Sequence, residues 1–224
     1  MNGEMMTKRD TLIELLELDD HRWGQYALTK DPLWSRLAPA ERTGVVRQAQ
    51  DTGKQAARKA AERLGDKGLE ALCGAYGITV REERELSGCG LYLLARFEEP
   101  DQICLYEKTI REVDRFIRTT LPERFQCSAR ELVLAHELFH VLELQDPELP
   151  TNSLTVPVLK LGPFCWRRRL TVPGEIAAMS FAKALLDTPF YPQALDILLL
   201  YALEQEEAEG LTESILSSFG GKEE

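Results

Sequence analysis

Histidine is scarce in this chain of 224 residues: there are three, His21, His136 and His140. Cysteine is sparse too, and Cys73, Cys89, Cys104, Cys127 and Cys165 are odd in number, scattered and without a CxxC pair. That pattern argues against a thiolate zinc site and a disulfide framework, and predicts reduced thiols in a cytoplasmic protein. Positive charge is in deficit, with 27 Lys and Arg against 37 Asp and Glu, a net of -10. The chain as a whole is therefore not expected to bind nucleic acid or a membrane surface through its field. No apolar run approaches the ~20 residues of a membrane span, and residues 1–10 carry no signal-peptide apolar region. Repeats and low-complexity tracts are absent.

What is present is ordinary in bulk and unusual at one place. Hydrophobic residues make up 44% and charged residues 29%, enough for a folded core. Two of the three histidines fall in His136-Glu137-Leu138-Phe139-His140, an HExxH pattern. On a helix, positions i and i+4 stack one turn apart on one face, so both imidazoles can reach a single metal ion. Glu137 is turned about 100° away from His136, where a carboxylate can take a proton from an attacking water. Zinc suits such ligands. Ser128-Ala129-Arg130-Glu131 reads as a capping box that starts the helix near Ala129, and Asp146-Pro147 should end it. Between these limits nearly every position off the His face is apolar, which marks a helix central to its domain.

The remaining chain reads as α+β: a small, mostly antiparallel sheet against a helical core that contains the HExxH helix. Helices are expected over residues 11–18, 39–64, 68–75 and 109–121. Strands are expected over 78–80, 91–97 and 103–106, the last two forming a hairpin. An extended segment over 154–161 precedes the basic cluster Arg167, Arg168 and Arg169. Further helices are expected over 173–186, capped by Thr171, over 192–208 ending at Gly210, and over 212–219. The organisation implied is an N-terminal helical extension (1–66), a central domain (67–190) and C-terminal helices packed on it (191–224). The helix over 39–64 is rich in cations from Arg42 to Lys67, which reads as a solvated face, the alternative being a docking face for an acidic partner or nucleic acid. His21 could be a distant ligand, but a His isolated in sequence is ordinarily not one.

Zinc needs a third protein ligand. Asp146, six residues past His140, competes with Glu175. Asp146 would require the helix to break at Glu143, a helix former followed by an apolar continuation. Glu175 lies on a helix whose polar face is Ser180, Lys183 and Asp187, and it falls inside the apolar arc instead. A carboxylate buried there is costly unless a cation compensates it, so Glu175 is the preferred ligand. Glu143 lies on the His face and reads either as an outer acceptor for a ligand imidazole or as a solvated residue. Tyr191, Tyr201 and the three arginines are candidate donors to a developing oxyanion. The edges of strands 91–97 or 103–106 could take substrate as an added strand.

Residues 129–140 followed by the helix from Glu175 to Leu186 resemble the ImmA/IrrE family of bacterial metallopeptidases, over about residues 69–188. The resemblance implies a zinc site with His136, His140 and Glu175 as ligands and Glu137 as the general base. It implies a cytoplasmic endopeptidase that cuts one regulatory protein, a helix-turn-helix transcriptional repressor in known members. Phe139 stands where the family has Gly, and Met179 where it has Asn. The second departure motivates an alternative, a zinc-binding regulatory or scaffold protein with the same fold and little turnover.

Overall fold

The computed structural model describes residues 7–65, 68–83 and 92–219. Leu91, Cys89 and Lys67, which entered the expectations above, lie outside the described residues.

Three helices form the centre. The HExxH helix α6 (Ala129–Gln145) opens with the expected capping box: the Glu131 amide donates to Ser128 Oγ and the Ser128 amide to the Glu131 carboxylate. Its residues Leu132, Leu134, Ala135, Leu138, Phe139 and Val141 are buried, which fixes the helix inside the core. α8 (Val172–Leu186) lies between α6 and the long α3 (Pro39–Leu64). Small residues make this close packing possible. A Cβ on Gly53 would sit 2.1 Å from the Ala177 carbonyl oxygen, so α3 and α8 meet backbone to backbone. Gly53→Ala should gain helix propensity yet lower stability by about 1–3 kcal/mol through overpacking, read as a lower urea midpoint. Leu12 and Leu15 of α1 (Lys8–Glu17) and Ala56 and Ala57 of α3 share one buried cluster with α6 and α8.

The architecture is α+β. β1 (Thr79–Glu83), β2 (Ala95–Glu98) and β3 (Gln102–Tyr106) form a sheet in the order β1-β3-β2. β2 and β3 make the expected antiparallel hairpin, whereas β1 pairs parallel to β3. β3 is thus hydrogen-bonded on both sides and cannot be an edge for substrate; β2 can. β4 (Thr155–Leu161) and β5 (Phe164–Arg169) form a separate antiparallel hairpin, so the arginine cluster is a strand.

The C-terminal expectation of one helix to Gly210 is overturned. α9 (Ala194–Leu203) stops at Glu204, whose backbone leaves the helical region at φ -141°, ψ 72°, and α10 (Gln205–Phe219) runs through Gly210. The turn lets Ala208, Thr212 and Ile215 be buried, with α10 folded back on α9. α5 (Glu107–Thr120) also packs against α9. No helix among the described residues is long and apolar enough to cross a membrane.

Candidate metal centre

The two histidines of α6 face the same way, as their spacing requires. His136 Nε2 and His140 Nε2 are 3.0 Å apart. The first turn of α8 brings Glu175 over them: its Oε2 is 3.4 Å from His136 Nε2 and its Oε1 3.5 Å from His140 Nε2. The three side chains offer donor atoms all within 4.8 Å of one another. Asp146 is elsewhere. It forms the C-cap of α6, and its carboxylate accepts from the Glu148 amide in the turn that follows. The choice between the two acids therefore falls to Glu175 on geometry. The burial expected for Glu175 does not occur: its side chain is 52% exposed, although its neighbours Gly174 and Ile176 in the first turn of α8 are buried.

The electrostatics reflect this grouping. Burial opposes the charged form of His136, but the hydrogen bond and charge of Glu175, with Glu137 and Asp196, outweigh it and raise the imidazole pKa. Loss of water opposes the Glu175 carboxylate in turn, and the two imidazoles overcome that and hold it below the usual carboxylate range. At its exposure this pairing is screened and is worth little to stability.

The donor set fits a zinc-class cation. Two Nε2 atoms 3.0 Å apart can share only one hydrogen between them, so in their neutral forms a lone pair is left beside a carboxylate. Two imidazoles and a carboxylate are the ligand types zinc takes at a catalytic site, leaving one position open. The surrounding support is incomplete. His136 Nδ1 is buried without a hydrogen-bond partner among the described residues, where a ligand imidazole ordinarily donates to a carbonyl or carboxylate.

What orients α8 is a residue the sequence did not reveal. Thr171 takes the expected N-cap position, but its side chain makes no cap bond. Asp31, 2% exposed, serves instead. Its Oδ2 accepts from the Thr171 amide at 2.7 Å and the Val172 amide at 3.0 Å, and its Oδ1 from the Leu33 amide at 2.8 Å. A buried carboxylate at a helix N-terminus satisfies orphan amides and complements the helix dipole. Asp31→Ala should cost about 2 kcal/mol, measured by denaturant unfolding, because three amides and the Thr171 hydroxyl lose their acceptor.

Glu137 is partly buried and, with His136 and Met179, lines a cavity of about 170 Å³. Residues 92–95, leading into edge strand β2, form another wall. Leu195 and Asp196 of α9 close it. Asp196 was not singled out from sequence, although it is the one acid in the apolar run 194–203. The residue is exposed, and its carboxylate accepts from Gln193 Nε2. Loss of water raises its pKa and Glu175 adds to the rise, while His136 and the Gln193 hydrogen bond oppose it.

Other expectations resolve as follows. Tyr191 is fully buried, and its hydroxyl donates to the Ile176 carbonyl at 3.0 Å, so it is not available to an oxyanion. Tyr201 stacks on Phe116 with ring centroids 6.0 Å apart and is 5% exposed. Glu143 pairs with Arg169 (Oε1 to Nη2, 3.3 Å) and not with an imidazole. Arg167 donates to Thr155. Phe139 is buried against Phe181, with its ring also edge-on to His140 at 6.3 Å between centroids. His21 lies with Gln25, apart from the other two histidines. On α3, Arg42 and Arg63 lie over the rings of Trp34 and Tyr76.

No protein-family model, curated protein or solved structure matches the chain.

Proposed function

We propose that the protein is a zinc-dependent endopeptidase acting on a specific intracellular regulatory protein. The observation that carries this reading is the convergence of His136, His140 and Glu175, with Glu137 beside them in a cavity bordered by a strand edge. His136, His140 and Glu175 would hold the metal. Zinc, when bound, supplies Lewis-acid polarisation of the scissile carbonyl and a more acidic water. Glu137 accepts a proton from the attacking water and passes it to the leaving amine. The outer edge of β2 pairs with no strand among the described residues and offers main-chain groups to an extended substrate. The resemblance to ImmA/IrrE metallopeptidases points to a helix-turn-helix repressor as that substrate.

The test is co-expression with candidate repressors. A discrete fragment should form with the wild-type chain and not with Glu137→Gln. One observation favours a second reading, a zinc-binding scaffold with little turnover: Met179, an apolar side chain, stands in the cavity wall beside Glu137 where the resemblance leads one to expect Asn. That reading gives full metal occupancy and no fragment from any candidate.

A further inference from the structure

The β4–β5 hairpin is an odd object in this molecule. Its two strands pair only with each other among the described residues, and residues 161–169 are all exposed. Leu159 stands opposite Trp166, and Leu161 opposite Phe164. Side chains of directly opposed residues share a face of a ribbon, so these four form one apolar face. They are 59%, 70%, 72% and 77% exposed in the order Leu159, Trp166, Leu161, Phe164. Single exposed apolar residues are ordinary; four on one face of a projecting ribbon mark a contact surface. Trp and Arg are also the residues that carry most binding energy at protein contacts.

The charge of the hairpin is equally distinct. Residues 155–169 hold Lys160, Arg167, Arg168 and Arg169 and no acid. Removing those four from the 27 cations leaves 23 against 37 acids, so the rest of the chain carries -14. An acidic partner is attracted to the hairpin, as it is to the cation-rich helix over residues 39–64, against a remainder of net negative charge. Lys160 and Arg168 make no ion pair among the described residues, and by alternation Arg168 lies on the apolar face just below Trp166.

The hairpin is also rooted at the candidate metal centre. Arg169, its last residue, reaches Glu143 on α6, three residues beyond His140. Six residues past Arg169 the chain arrives at Glu175. The Leu170 amide, donating to the Leu154 carbonyl at 2.9 Å, closes the base. At about 3.3 Å per residue the arm extends roughly 20 Å from that base. The base of the arm, where Arg169 meets Glu143, is thus the part of the hairpin next to the histidine face of α6.

We propose that the β4–β5 hairpin is a docking arm for an acidic, apolar segment of the protein on which the metal centre acts, an identification that rests on the proteolytic reading above. A bilayer is the less favoured occupant, because anionic headgroups would face the -14 remainder of the chain. A second copy is disfavoured by the repulsion of two chains of net charge -10.

The experiment uses the full chain and three fluorescein-labelled peptides of equal length. One alternates Glu with Leu and Phe; the others carry Ser or Lys in place of Glu. Anisotropy should detect binding of the acidic peptide only, weakening as salt rises, with a blue shift of tryptophan emission from Trp166. Trp166→Ser and the pair Arg167→Glu, Arg168→Glu should each weaken binding at least tenfold with unchanged circular dichroism. Protein stripped of metal by chelator should bind equally well, which separates a failure of the arm from a failure of the metal reading. Equal binding of the Ser or Lys peptide, or unaltered binding by both variants, overturns the proposal. So does a Trp166-dependent association with phosphatidylserine vesicles or a Trp166-dependent dimer in place of peptide binding.

Discussion

Glu137→Gln should leave metal uptake and folding as in the wild type and lower peptide-bond cleavage by about 10²–10⁴-fold, the usual contribution of a general base. The expectation follows from position. Glu137 follows His136 by one residue, so it is rotated off the ligand face and lines the neighbouring cavity. It is not among the three donors that converge. Gln keeps the volume and one acceptor oxygen but cannot hold the water proton. The loss should therefore fall on kcat more than on KM. Measured with a cleavable repressor or a peptide cut from it, an unreduced rate with Glu137→Gln would remove Glu137 from the chemistry.

The second large effect concerns the ligands. His136→Ala, His140→Ala and Glu175→Ala should each weaken zinc binding by more than the ~100-fold that loss of an outer partner can cause. Asp146→Ala should change nothing, because its carboxylate accepts from the Glu148 amide beyond the end of α6. The readout can be thermal unfolding with and without zinc. A ligand at 100 times its Kd stabilises by about 2.7 kcal/mol. That increment should be present in the wild type and Asp146→Ala and missing in the three ligand variants. Imidazoles bind metal in the neutral form, so zinc uptake at a pH low enough to protonate them should release protons.

How far the sequence led depends on the range of the interactions involved. α6 was legible because its signals are local: a capping box at Ser128 and Glu131, an apolar surface all round, and a stop at Asp146-Pro147. Glu175 was reached from the phase of its helix, although the burial assumed for it does not occur. Asp31 could not be found this way. It caps α8 across 140 residues of sequence, and a lone Asp before Pro32 looks like any turn residue. The break at Glu204 was hidden because it falls in a run of helix formers; only the burial of Ala208, Thr212 and Ile215 reveals why the chain turns there. β5 was read as a basic cluster because three consecutive arginines mask the strand alternation of Phe164, Trp166 and Arg168.

The central claim is that His136, His140 and Glu175 form one zinc site. Titration of chelator-treated protein with zinc, followed by elemental analysis after gel filtration, tests it most directly. The account predicts one zinc per chain for the wild type and for Glu137→Gln, and none retained by His136→Ala or Glu175→Ala. A wild-type chain that retains no zinc, or a Glu175→Ala chain that retains a full equivalent, would contradict it.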